Sequence, residues 1–277
     1  MVNVLLEVLG CLGLIYKENV KVSKTIALVG KGGTGKTTLA SLILKFLIQN
    51  GHGPVLAVDA DSNSTLNLSL GVEVDKTIGG MREDMTQEIR DGEIPAGMSK
   101  EAYVEYQMQQ ALVESSGFDL LAMGRPEGQG CYCYANNLLR RHIDSLAENY
   151  PFVVVDNEAG MEHLSRRTTR NIDIMLIVSE PTPVGVITAG RIRNLSRELQ
   201  LNVEKSRLVI NRSSSNIPDN LKKTVQEQGL EPVVLLPADE MILDFTARGQ
   251  SLLELPGDSK AVEAVDRLCR EVITGNR

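Results

Sequence analysis

Seven short runs rich in β-branched residues, interleaved with stretches that place apolar residues at helical spacing, constrain the fold of this chain more than any other feature. The runs Thr25–Val29, Val55–Val58, Leu120–Met123, Phe152–Asp156, Ile174–Val178, Leu208–Ile210 and Val233–Leu236 are bounded by turn residues and read as buried parallel strands. Helical spacing marks Thr37–Gln49, Leu138–Asn149, Val184–Gln200, Ile217–Gln228 and Lys260–Ile273. A crossover between parallel strands needs a helix, and each such helix covers one face of the sheet. The alternation therefore predicts an α/β fold with a mostly parallel central sheet flanked by helices on both faces.

One segment breaks the rhythm. Residues 75–116 are rich in Glu, Gln and Met and read as a helical insertion, with Ser99 as N-cap of a periodic run through Val113. Residues 1–24 form an N-terminal extension whose apolar part lacks the basic lead and small-residue cleavage site of a signal peptide. It reads as a packed helix, an upstream start or a partner-docking helix, with Cys11 as apolar filler. Residues 25–277 read as one domain, since 42% hydrophobic residues over 277 positions suffice for a core without disulfide or metal staples. The four cysteines are too few for a disulfide scaffold. A net charge of −7 argues against a nucleic-acid partner. The absence of a long uninterrupted apolar run argues against a membrane span, and a cytoplasmic protein is the expectation.

Between the first strand and the first helix lies Gly30-Lys31-Gly32-Gly33-Thr34-Gly35-Lys36-Thr37-Thr38, which satisfies G-x-x-x-x-G-K-[ST] in the context that motif requires. Gly32, Gly33, Thr34 and Gly35 can curl successive backbone N–H groups around phosphate oxygens, with the dipole of the following helix adding to the attraction. Lys36 is placed to reach the β- and γ-phosphates, Thr37 to ligate Mg²⁺, and Thr38 to complete the phosphate site. Carboxylates end two further strands: Asp59 and Asp61 in VLAVDAD, and Asp156 in FVVVDNEAG. The C-terminal ends of parallel strands are where such sheets bind ligands, and Asp156 is the candidate for holding Mg²⁺. No N-K-x-D guanine signature is present, which favours ATP over GTP.

Lys31, directly after the first glycine, makes the loop KGGTGKTT, which resembles the deviant Walker A signature of MinD/ParA-type ATPases, although Thr34 stands where the usual pattern has Val. The resemblance implies that Lys31 crosses a nucleotide-sandwich homodimer to the partner's phosphates and that Asp61 orients the attacking water. It also implies that Asp59–Thr65 and Asn157–Leu164 are switch loops, the second sensing the γ-phosphate through the Gly160 amide, and that Asn211 and Pro237 contact adenine.

Cys131-Tyr132-Cys133 follows a glycine-rich lead-in. Cysteines at i and i+2 in extended chain project to one side, so the pair reads either as buried thiols or as two ligands for a soft metal. A twofold dimer would supply four thiolates, a closed site for Zn²⁺, Ni²⁺ or an iron–sulfur cluster. Cys269 in the last helix reads as core. Taken together, KGGTGKTT, GQGCYC and VVVDNEAGMEHLSRRTTRNID resemble the CooC-type nickel-insertion ATPases that mature carbon monoxide dehydrogenase. That resemblance implies nickel as cargo at Cys131 and Cys133, with zinc a possible substitute, and carbon monoxide dehydrogenase or acetyl-CoA synthase as the client enzyme. His163 reads as a relay residue or a further ligand, and Arg166, Arg167 and Arg170 as a solvated face or a client contact. An iron–sulfur carrier or electron-transfer protein on the same fold is an alternative. A positioning ATPase is another, disfavoured by the acidic charge and by a C-terminal helix that mixes acids with bases.

Overall fold

The computed structural model describes residues 23–81, 88, 91, 94–95, 97–124, 143–157, 171–214, 216–230 and 232–275. Its strands are β1 (Lys24–Gly30), β2 (Val55–Asp59), β3 (Leu112–Ser115), β4 (Phe118–Ala122), β5 (Phe152–Asp156), β6 (Asn171–Ser179), β7 (Asn202–Ser213) and β8 (Val233–Pro237). Its helices are α1 (Lys36–Gln49), α2 (Leu66–Leu70), α3 (Lys100–Ala111), α4 (Pro183–Glu198), α5 (Asp219–Gln228), α6 (Glu240–Ala247) and α7 (Lys260–Leu268), the last running into a π-helical turn at Cys269–Thr274. Among the described residues the strands form one eight-stranded sheet in the order β3-β4-β2-β5-β1-β6-β7-β8. Every neighbouring pair is parallel except β3 and β4.

Alternation of side chains along the strands divides the core between the two faces. Ile26 and Leu28 of β1 join Leu39, Ile43 and Leu47 of α1 and Val265 and Leu268 of α7 in one cluster. Ala27 and Val29 face the other way, into a cluster with Val186 and Ala189 of α4 and Leu221 and Val225 of α5. Leu56 and Val58 of β2 extend that second face beneath Tyr103, Val104 and Met108 of α3. Cys269 is buried in the first cluster as a free thiol, in accord with a core role. No helix among the described residues is long and apolar enough to cross a membrane.

All seven expected strands are present, β6 and β7 longer than read and β4 displaced by two residues at its start. Ser99 caps α3 as expected, its Oγ accepting from Ala102 N at 3.1 Å. The helical run expected through Val113 instead ends at Ala111, and Leu112–Ser115 turns back as an antiparallel edge strand on β4. A two-residue turn makes this possible, with Gly117 at φ 86°, a backbone conformation that costs glycine little. Helix α6 is not among the expected elements: it is only eight residues long and none of them is fully buried, although Met241, Ile242 and Phe245 pack half-buried against the first cluster. Of the expected helix Leu138–Asn149, the structure describes 143–149 and shows 143–147 as helical.

The return from β8 to the sheet face depends on Asp239. One carboxylate oxygen caps α6 by accepting from Met241 N at 2.9 Å, and the other accepts from Ser259 Oγ at 2.7 Å and Ala261 N at 3.0 Å at the start of α7. Burial raises the carboxyl's pKa, but these donors outweigh it and hold the group below the usual carboxylate range. Asp239→Ala is therefore expected to cost on the order of 3 kcal/mol in urea unfolding, with Ser259→Ala costing about 1. A loss below about 0.5 kcal/mol for Asp239→Ala would contradict this role.

Candidate active site

The C-terminal ends of β1, β2, β5, β6 and β7 converge on the loop between β1 and α1. Gly30 (φ 155°) lies against the Val178 carbonyl, where a Cβ would collide with the oxygen. Gly35 (φ 93°) is the N-cap of α1, and a Cβ there would collide with the Asn211 amide nitrogen. Both glycines are required by close approach as well as by backbone conformation. Lys36 is buried, and its Nζ lies 3.2 Å from the carbonyl oxygens of both Gly30 and Lys31, across the mouth of the loop. Thr34 is buried and donates to Lys31 O at 2.9 Å. Gly32 is exposed, while Thr37 and Thr38 are half-buried at the start of α1. Lys31 is exposed and borders a cavity of about 300 Å³ with Ser179, Glu180, Thr182 and Val184.

The two strand-end carboxylates are neighbours, since Asp59 of β2 pairs in register with Asp156 of β5. Asp59 is fully buried and organises the following loop: its Oδ1 accepts from Asp61 N at 3.0 Å and its Oδ2 from Leu66 N at 2.9 Å. Burial pushes its pKa up to about 6 despite those bonds. Asp156 is pushed up to about 7, first by burial, with Asp59 and Asp61 adding to the rise and Thr37 and Lys36 opposing it. The Thr37 hydroxyl is close enough to oppose that rise, yet among the described residues neither buried carboxylate oxygen completes a hydrogen bond. Asp61 is half-buried in a turn, its Oδ1 accepting from Asn63 N at 2.8 Å and Asn63 Nδ2 at 3.2 Å.

Buried polar groups are ordinarily satisfied, so an orphaned carboxylate beside a hydroxyl, a buried lysine and a second carboxylate calls for a cation. The donor set is all oxygen, as Mg²⁺ prefers. The residues present thus fit the metal that a nucleotide would bring, with Thr37 and Asp156 to hold it and Asp59 behind them.

Asn211, read as an adenine contact, uses its Nδ2 to donate to Thr34 O at 2.8 Å and its Oδ1 to accept from Arg212 N at 2.9 Å. Pro237 ends β8, paired with Ser213 of β7. Asn157 is buried and donates through Nδ2 to Leu28 O at 2.9 Å, tying β5 to β1. Met123 N donates to Asp59 O at 2.8 Å, and Met123 O accepts from Gly79 N at 2.7 Å. The loop after β4 is thereby stitched to the acidic strand end on one side and to residue 79 on the other. Cys131, Cys133, Gly160, His163, Arg166, Arg167 and Arg170 lie outside the described residues, as do 1–22.

This is the site of a nucleotide-binding protein, and comparison with known proteins agrees. Residues 25–252 match the CobQ/CobB/MinD/ParA nucleotide binding domain. The chain is 41% identical over 248 residues to an uncharacterized ATP-binding protein of Methanocaldococcus jannaschii, covering 90% of this chain and 98% of that one. It is 32% identical over 188 residues to the carbon monoxide dehydrogenase accessory protein CooC of Rhodospirillum rubrum, covering 63% and 69%. In three dimensions it is similar to the MinD cell division protein of Aquifex aeolicus, with a TM-score of 0.64 at 22% identity over 91% of this chain and 97% of that one. The chain belongs to the CobQ/CobB/MinD/ParA nucleotide-binding family and is an ATPase.

The buried carboxylate has a consequence for stability. A raised carboxyl pKa in the folded state means that the native protein holds a proton the unfolded chain has already lost, so stability falls as pH climbs from about 4 to about 7. In nucleotide-free, metal-free protein, Asp156→Asn is expected to be more stable than wild type at pH 8 by on the order of 2 kcal/mol. The difference should open across that pH interval and stay flat above it. A variant no more stable than wild type at pH 8 would refute the buried, unpartnered state of this carboxylate.

Proposed function

We propose that this ATPase delivers a metal ion, nickel by preference with zinc as a substitute, to a nickel–iron–sulfur enzyme such as carbon monoxide dehydrogenase, and that it works as a homodimer closed by ATP. The observation that carries the reading is the backbone ladder from Asp59 O through Met123 to Gly79. In the sequence, the segment bearing Cys131 and Cys133 follows Met123 and Gly124, and Met123 is bonded to the acidic end of the nucleotide site. The likeness to the carbon monoxide dehydrogenase accessory protein CooC supports the same assignment of client. The reading takes 25–277 as a single ATPase domain and gives Asn211 and Pro237 the base-side wall.

In this reading the loop amides and Lys36 bind the β- and γ-phosphates, while Asp61 orients the attacking water. The bound Mg²⁺, held by Thr37 and Asp156, supplies neutralisation of charge on the phosphates. Lys31, exposed at the rim, meets the phosphates of the partner copy. Closure brings four thiolates, two from each chain, around one metal ion of the cargo, and opening after hydrolysis releases it. The link is thermodynamic: whatever favours the closed dimer must also alter metal affinity, and metal must alter nucleotide affinity by the same factor.

Equilibrium titration with nickel, with and without a non-hydrolysable ATP analogue and with the assembly state followed by ultracentrifugation, tests this. One metal per two chains is the expected stoichiometry, with affinity changed about tenfold or more by the analogue. Cys131→Ser/Cys133→Ser should abolish binding, and Lys36→Ala should abolish ATP turnover while leaving nucleotide-free metal binding intact. Metal affinity that is identical with and without the analogue would end the proposal.

A further inference from the structure

Consecutive residues of a strand point to opposite faces of a sheet. In β7, Leu208 and Ile210 face the cluster with α4 and α5, and Val209 faces the cluster with α1. Continued alternation would send Asn211 toward the phosphate loop and Arg212 toward α4 and α5. The strand does not continue regularly. Between Ile210 and Ser213 the register with β8 slips by one residue, and within that bulge Arg212 takes φ 53°. Left-handed backbone is unusual for arginine and signals a conformation held by its surroundings. Its effect is that two successive side chains reach the same loop. Asn211 Nδ2 donates to Thr34 O at 2.8 Å, and the Arg212 guanidinium, exposed at the rim, lies 3.4 Å from Gly33 O. Bulges are a recurrent means of re-aiming a side chain beside a functional site.

We propose that Arg212 is a positioning residue for the phosphate loop: with Asn211 it holds two successive loop carbonyls toward β7 and so aims the loop's amides at phosphate. The reason is peptide geometry. In a trans peptide the carbonyl and the following N–H point in opposite directions. Drawing the Gly33 and Thr34 carbonyls toward β7 turns the Thr34 and Gly35 N–H groups into the curve of the loop, where Thr34 N donates to Lys31 O at 3.4 Å, a long bond that a phosphate oxygen would replace. Without the clamp those two peptides could rotate, and the amides would have to be reordered each time a nucleotide binds. Lys in place of Arg supplies one donor group on a flexible stem and restores the clamp only in part.

The inference rests on the phosphate-loop reading of residues 30–38 and is independent of any metal cargo. Its test uses Mg²⁺-ADP and inorganic pyrophosphate, titrated into wild type, Arg212→Ala, Arg212→Lys and, as a control on the loop, Lys36→Ala. Arg212→Ala is expected to weaken both ligands by about tenfold, as the loss of a charge-assisted hydrogen bond would, with Arg212→Lys intermediate. Amide resonances of Thr34 and Gly35 should shift in nucleotide-free Arg212→Ala, a change that direct contact with a nucleotide would not produce. Unchanged affinities overturn the proposal. So does a loss confined to ADP, which would place Arg212 on the nucleoside instead, and so do unmoved resonances. If Lys36→Ala leaves pyrophosphate binding intact, the phosphate-loop reading falls and this inference with it; if only Arg212→Ala is silent, this inference falls alone.

Discussion

Two buried carboxylates side by side at the ends of adjacent parallel strands, one of them within reach of the Lys36 charge, are the constraint around which this molecule is arranged. Asp59 and Asp156 occupy paired positions on β2 and β5. Leaving two such groups ionised in a protein interior is costly unless positive charge or donors answer them. Asp59 is answered by backbone amides, and in accepting them it shapes the loop to Leu66. Asp156 is left unanswered, with Lys36 and Thr37 beside it. One carboxylate thus builds structure and the other keeps its coordination open. That division of labour follows from position alone, since both belong to short strand-end sequences of the same kind.

The same acidic end is where neighbouring parts of the chain are fastened. Ala60 N donates to Asp156 O at 2.8 Å, Met123 N to Asp59 O, and Asn157 N to Leu28 O. A shift of the β2 or β5 terminus on filling the site would therefore be felt at the loop after β4 and, through Gly79, in the insertion before α3. Gly124 sits against Thr77 so closely that a Cβ would collide with it. Such contacts pass a small displacement on instead of absorbing it, because packed interiors have little slack. The acidic strand ends, the loop to Gly124 and residue 79 are in this way fastened to one another.

Much of this was readable before any coordinates. The glycine loop identified itself because its motif demands a strand before it and a helix after it, and apolar periodicity supplied both. The strands were legible because a parallel sheet buried on both faces leaves unbroken β-branched runs such as Phe152–Asp156. Edge elements were harder. Leu112–Ser115 adjoins a helical pattern and has no separate signal beyond the turn at Gly117, and α6 is short, with Met241, Ile242 and Phe245 only half-buried against the core. Asn211 is legible as a strand-end residue, whereas Arg212 is not. Its role depends on a bulge and a left-handed φ, and no residue type in LVINRS announces either.

Burial and the neighbouring Asp59 push Asp156 up to about 7, so the carboxyl is substantially protonated just below neutral pH and Mg²⁺ held there would displace that proton. Calorimetric titration with Mg²⁺-ADP at pH 6.5, in buffers of differing ionisation enthalpy, counts that proton directly. Wild type should release roughly half a proton or more per chain beyond what Asp156→Asn releases under the same conditions. Equal proton release by the two proteins would mean that the carboxylate is already ionised and the site is not organised as described.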